Sequence, residues 1–170
     1  GASRRYPGFI QPQRAIMLLT LTRDAPRPDC QEGILNVGGS RYYTMERTWK
    51  DNHAGISCVL AGQYDLMPHV IEHGVLLGLN CYALSNPALG VFPEPPADYT
   101  GSNAVRVAIL IHPANWAFQL LGCIAPGKAR GILTPKNGIA QPAVLQSDTA
   151  FDEIMGMLGV GVMGHQLLIQ

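Results

Sequence analysis

Glycine and proline interrupt this chain so often that few of its segments can run long in any regular structure. Its 170 residues include 19 glycines and 13 prolines, scattered without a period. That excludes a collagen-like chain. Proline lacks the backbone donor and glycine favours turns, so the pattern calls for many short strands joined by tight connections. With 47% apolar and only 14% charged residues, the chain can build a core and is not a disordered polymer. Its length fits one domain. Twelve basic residues balance twelve acidic ones, which leaves no electrostatic footprint for nucleic acid or for an anionic membrane surface. No apolar run approaches the roughly 18–20 residues of a membrane span, and no secretory signal is visible at the start.

Periodicity then assigns elements. Met17–Arg23, Gly33–Val37 and Ser40–Glu46 read as strands, the last two joined by the hairpin signal Gly38-Gly39. Thr48–His53 reads as a loop. Ser57–Leu60 and Gln63–Pro68 read as strand, turn, strand, and Leu76–Leu84 as sheet. Ala104–His112 is the clearest strand, with Val105, Val107, Ile109 and Ile111 on one face and Arg106, Ala108, Leu110 and His112 on the other. A Gly/Pro-rich loop follows Cys123 and runs to Gly138. Ser147–Leu158 is the helix candidate, capped by Ser147, striped by Phe151, Ile154, Met155 and Leu158, and stopped by Gly159. Gly161–Leu168 would add a final strand. The expected fold is therefore mainly β: an extended segment over residues 1–16, with Arg4–Gln13 as its lead-in, then a single antiparallel sandwich or barrel domain over residues 17–170 with one C-terminal helix.

The chemistry concentrates around Cys123. A thiol works as a nucleophile only as its thiolate, and a free thiol with a pKa of ~8.5 is mostly protonated at neutral pH. A neighbouring imidazole can take that proton. His112 ends the clearest strand and Cys123 follows eleven residues later, after the turn start Pro113-Ala114-Asn115. A return through Phe118–Leu121 would bring Cys123 back beside His112. Gly122 lets a substrate approach the backbone closely, and the amides around Gly122 and Cys123 would serve as an oxyanion hole. The competing reading is structural: a cysteine between Leu121 and Ile124 packs well as a small apolar residue.

Two ordered sets of blocks resemble known families. Thr44-Met45-Glu46-Arg47-Thr48-Trp49-Lys50-Asp51-Asn52, Ile56-Ser57-Cys58 and Ala61-Gly62-Gln63-Tyr64 come first. Ile111-His112-Pro113-Ala114-Asn115, Gly122-Cys123-Ile124 and Ser147-Asp148-Thr149-Ala150-Phe151 follow. Together, from about Met17 to Leu158, they resemble a phage-associated family of unknown function with the pattern T-L-E-x-x-W-x-D-N, S-C, I-H-x-G-N, G-C-I. The I-H and G-C-I pair is also similar to the active site of L,D-transpeptidase catalytic domains, β-rich cysteine enzymes acting on peptidoglycan stem peptides. That resemblance implies Cys123 as nucleophile, His112 as base and a peptidoglycan peptide as partner, with no cofactor. It implies synthesis in the cytoplasm and action in the bacterial periplasm or cell wall, or within a virion. The sequence departs from the transpeptidase pattern in its short spacer, in Ala114 for a common glycine, and in Leu120 or Leu121 where a serine or threonine usually helps orient the imidazole. Gln119 or Asn115 would have to take over that orienting role. A non-catalytic virion component or binding module with the same fold is the alternative.

The remaining polar residues divide similarly. Glu46, Trp49, Asp51 and Asn52 either border a substrate groove or build a structured turn under a Trp49 lid. Arg106 would either grip a substrate carboxylate or sit solvated on its strand. No C-x-x-C pair occurs among Cys30, Cys58, Cys81 and Cys123, so a zinc ribbon is excluded. All four read as reduced, with Cys30 in an exposed loop and Cys58 in the core. His69 and His73 have a helical metal-binding spacing but no third ligand, so no metal is expected.

Overall fold

A computed structural model of the chain describes residues 15–136 and 138–170. The lead-in expected over Arg4–Gln13 lies outside them. Strands β1 (Leu18–Arg23), β2 (Gln31–Val37) and β3 (Ser40–Glu46) form an antiparallel meander. Its second turn holds Gly38 and Gly39 at φ 55° and 86°, the paired positive-φ geometry that matches strand twist in a two-residue hairpin. Strands β4 (Gly62–Val70) and β5 (Asn80–Ser85) pair antiparallel. The short β6 (Val91–Phe92) and β7 (Arg106–Val107) make a separate parallel pair, and β8 (Leu110–Ile111) adds to β5. Then come β9 (Ala125–Gly127), β10 (Ala129–Leu133), β11 (Gln141–Leu145), helix α1 (Ser147–Leu158) and β12 (Gln166–Ile169).

Eight strands make one sheet in the order β8-β5-β4-β12-β1-β2-β3-β9. All neighbours are antiparallel except β1 and β12. The two ends of this order meet again. Ile111 of β8 forms a parallel bridge to Ile124, the residue just before β9. The sheet is thus nearly closed, and its seam lies between the two segments that carry His112 and Cys123. The expectation of a mainly β domain with one C-terminal helix describes this architecture.

Several local expectations need correction. The strand expected over Ala104–His112 breaks at Ala108, which stands at φ 54°, a conformation costly for a residue with a Cβ. Arg106 therefore lies in β7, in one sheet, whereas His112 follows the end of β8, in another. Ser57–Leu60 forms no strand, because its carbonyls serve a side chain described below. The stretch after Cys123 is not one loop: β9 and β10 lie within it. Between Leu76 and Leu84 only the part from Asn80 is sheet, and of the expected last strand only Gln166 onward. Ser147 is not the helix cap. Gln146 occupies that place in the left-handed region, while Ser147 Oγ donates to the Pro126 carbonyl (2.5 Å) and accepts from the Ala114 amide (3.1 Å). That hydroxyl pins the helix start to β9 and to the loop after His112.

Strand alternation divides the apolar residues into two clusters. Leu19, Leu21, Leu35, Leu66, Leu84, Ile109, Ile111, Ile124 and Leu167 fall in one. Cys81, Ala83, Leu110, Cys123, Ala125, Leu120 and Phe151 fall in the other. Helix α1 feeds both, burying Ala150, Ile154 and Leu158 in the first and Phe151 in the second, at about 1.5–3 kcal/mol for each large apolar side chain. Gly159 at φ 79° ends it.

Candidate functional site

The seam is built from two backbone hydrogen bonds and one amide–thiol contact. The Ile124 amide donates to the Leu110 carbonyl (2.9 Å), the His112 amide to the Ile124 carbonyl (3.1 Å), and the Leu110 amide to Cys123 Sγ (3.3 Å). Leu110 and Cys123 share the second apolar cluster, whereas Ile111 and Ile124 share the first. By alternation His112 follows Leu110 onto the face of Cys123. The β5–β8 register, Ala83 to Leu110 and Tyr82 to Ile111, continues to put Cys81 at the level of His112. Sequence reasoning did not connect Cys81 to the site, and only the register could.

The His112 ring is held from behind. Its Nδ1 lies 2.9 Å from the Pro113 carbonyl, which can only accept, so Nδ1 carries the proton and Nε2 keeps its lone pair. Burial pulls the imidazole pKa below its ordinary value, with the Pro113 carbonyl opposing. Asn115 and Gln119 do not orient it. Asn115 Nδ2 donates to the Val144 carbonyl (2.9 Å), and Gln119 Oε1 accepts from the amides of Asn115 (2.9 Å) and Trp116 (3.2 Å). The orienting group is a main-chain carbonyl, which no side-chain pattern can signal.

Cys123 is 7% exposed. Its Sγ takes the Leu110 amide and donates to the Ala108 carbonyl at 3.6 Å; among the described residues no hydrogen bond joins Sγ to the imidazole. Burial pushes the thiol from 9.0 up to about 11, against the opposing pull of the Leu110 amide and of Arg106. The amides of Gly122 and Cys123 have no acceptor among the described residues.

One pH dependence follows directly. Alkylation of Cys123 by iodoacetamide, followed by peptide mass spectrometry, is expected to be slow at pH 7. It should rise about tenfold per pH unit toward the thiol pKa. A rate that levels off by pH 7 would contradict a buried, protonated thiol. The same raised pKa means that the stability gained from burying the neutral thiol is present below pH 9 and lost as the pH climbs to about 11.

Gly122 is at φ 107°, and a Cβ there would lie 2.3 Å from Arg106 Nη2. Arg106 itself is 1% exposed, so it neither grips a substrate nor sits in solvent. Its Nη1 donates to Asn52 Oδ1 (2.9 Å), and to the carbonyls of Asn52 and Cys58 (3.3 Å each), while Nη2 donates to the Ser57 carbonyl (2.6 Å). The loop expected to border a groove is thus a structured turn. Asp51 and Asn52 stand at φ 52° and 57°, the left-handed region that these residue types tolerate. Trp49 is 41% exposed. Glu46 does not face a groove, because it is fully buried and chelates Arg23 through both oxygens (2.9 and 2.7 Å). Arg47, passed over in the sequence, donates to the Leu120 (2.6 Å) and Phe118 (3.1 Å) carbonyls and fixes the approach to Gly122. Its place in the E-R-T-W block was the available signal.

A cavity of about 410 Å³ opens beside Pro113, lined by Ala114, Asn115, Gln119 and the start of α1 from Gln146 to Thr149. Cys30 is buried rather than exposed, and all four cysteines are free thiols. His69 lies in β4 with Nδ1 3.3 Å from Glu94, not on a helix with His73. Among the described residues, no three His, Cys, Asp or Glu side chains gather as metal ligands, and no helix is long and apolar enough to cross a membrane. No protein-family model, curated protein or solved structure matches this chain.

Proposed function

We propose that the chain is a phage-associated cysteine peptidase or transpeptidase acting on peptidoglycan stem peptides, in the manner of the L,D-transpeptidase class that its motifs resemble. Cys123 attacks a peptide carbonyl. Nε2 of His112 takes the thiol proton and returns it to the leaving amine. Water or a second amine then releases the acyl group, giving hydrolysis or cross-linking. The Gly122 and Cys123 amides receive the oxyanion. The setting, a bacterial cell wall or a virion, rests on the resemblance alone.

One observation supports this reading above the others. His112 and Cys123 each adjoin one partner of the Ile111–Ile124 bridge, and the His112 Nδ1 lies on the Pro113 carbonyl, which leaves Nε2 as the basic nitrogen. The test is incubation of the protein with purified muropeptides of several stem lengths. Mass spectrometry reads both the products and an acyl adduct on the Cys123 peptide. An adduct with a new product identifies the bond. Absence of both from every substrate, with the protein folded, would sink the enzyme reading.

A second reading, a non-catalytic virion component or binding module, is favoured by the 7% exposure of Cys123 and by its thiol at about 11. In that case Cys123 is a packing residue.

A further inference from the structure

The start of β1 is held by a side chain. In a parallel ladder a strand amide ordinarily donates to a main-chain carbonyl of its neighbour. At the entry to the β1–β12 pair the Met17 amide donates instead to Nδ1 of His165 (2.9 Å), while the Met17 carbonyl accepts from the Gln166 amide (3.0 Å). The other ring nitrogen, Nε2, lies 2.9 Å from the carbonyl of Leu158, the last residue of α1. An amide can only donate and a carbonyl only accept, so the ring makes both bonds only as the neutral Nε2–H tautomer. The imidazole is fully buried. The Tyr82 ring of β5 meets it edge-on at 5.8 Å, with its hydroxyl donating to the Gly159 carbonyl (2.5 Å) and accepting from the Val162 amide (3.1 Å). From β4, the Leu66 amide donates to the His165 carbonyl (2.9 Å). Asp65, opposite Gln166, has its carboxylate on the Gln166 side chain (2.9 Å). No carboxylate pairs with His165 among the described residues.

We propose that His165 is a proton-sensitive latch on the start of β1. Protonation takes the lone pair of Nδ1, so the Met17 amide then faces an N–H and its bond is lost. The ring also gains a charge in a site that offers no anion, and keeping such a charge buried is costly. Letting go of Met17 relieves both, because the ring can then reach water. Imidazoles change charge between about pH 5 and 8, whereas a main-chain carbonyl in the same place would hold Met17 throughout that range. The bond is present at the alkaline end and lost as the pH falls. The release is local, since the ladder from Leu18–Gln166 to Leu21–Ile169 does not depend on the ring. Ile16 goes with Met17: it is 69% exposed and rests on Gly164, where a Cβ would lie 2.9 Å from its Cδ1. Met17 packs against the first apolar cluster, so its departure uncovers apolar surface at that end of the sheet. The latch is independent of the chemistry proposed for Cys123.

Hydrogen exchange read amide by amide by NMR tests the latch. The protection of the Met17 amide, corrected for intrinsic exchange, is expected to be about tenfold lower at pH 5 than at pH 7.5. The amides of Leu84 and Val144, bonded to the Ile109 and Asn115 carbonyls, should keep theirs. In His165→Asn, whose Oδ1 takes the place of Nδ1 and accepts whatever the pH, the dependence at Met17 should vanish. Equal protection of Met17 at both pH values in the wild type overturns the proposal. So does a dependence that survives in folded His165→Asn, and so does a loss shared with Leu84 and Val144, which is global unfolding. If the variant does not fold, the wild type still decides, because the loss at Met17 must coincide with the appearance of a proton on Nδ1 in the ring-nitrogen NMR spectrum. Transitions at different pH values overturn it.

Discussion

Cys123→Ala is expected to abolish conversion of stem peptides, with a loss on the order of 10⁴-fold or more, while the protein stays folded. The side chain removed is small, and its Sγ contributes one weak acceptor to the Leu110 amide and one weak donor to the Ala108 carbonyl. The folding cost should therefore be modest, ~1–2 kcal/mol. His112→Ala should fall short of that loss, at roughly 10²–10⁴-fold, because the thiol can still lose its proton to solvent at high pH. The pair of variants is informative through its pH profile. Wild-type activity should appear as the imidazole becomes neutral, below pH 6.5 because burial has lowered its pKa. In His112→Ala that acid limb should vanish and activity should climb only toward the thiol pKa. The measurement is product formation by mass spectrometry across pH 5–10. Retained turnover in Cys123→Ala would rule out the nucleophile.

The largest effect on stability is expected at Glu46. Its carboxylate is fully buried and takes both Nε and Nη2 of Arg23, whose pKa burial lowers but Glu46 carries upward on balance. Glu46→Ala leaves Arg23 charged, largely desolvated and without its anion. Breaking such a pair costs about 3–5 kcal/mol, which for a domain of this size lowers Tm by on the order of 10 °C. Replacing both partners with apolar residues, Arg23→Met with Glu46→Leu, should recover most of the loss, since an ion pair in a core is often no more stabilising than well-packed hydrocarbon. Thermal unfolding followed by circular dichroism reads both variants. A fall under about 3 °C in the single variant would show that the pair is solvated in solution.

Legibility from sequence followed the range of the interactions. The β1–β3 meander and α1 were readable because alternation, a Gly-Gly turn and a 3.6-residue stripe are local signals. The return of the chain from His112 to the neighbourhood of Cys123 was readable in part, since Ile111 and Ile124 do bridge. The rest depends on distant chain segments. Nothing local marks Ala108 for the left-handed region, and that residue alone moves Arg106 off the face of His112. Glu46 looked like a groove residue because its partner, Arg23, lies across two strands. Arg106 looked solvated because its acceptors are carbonyls near residues 52–58, and main-chain acceptors leave no trace in composition. The closure of the sheet was equally hidden, for it rests on one bridge between Ile111 at the end of β8 and Ile124, which has no strand of its own.

That closure has a mechanical consequence. A hoop of paired strands is as rigid as its clasp, and here the clasp is a single bridge held by the Ile124 and His112 amides. Parting it breaks two backbone hydrogen bonds and leaves every other strand pair intact, so it costs far less than unfolding. Because the sulfur sits in the clasp itself, parting that one bridge would uncover Cys123 while the other strand pairs stayed closed.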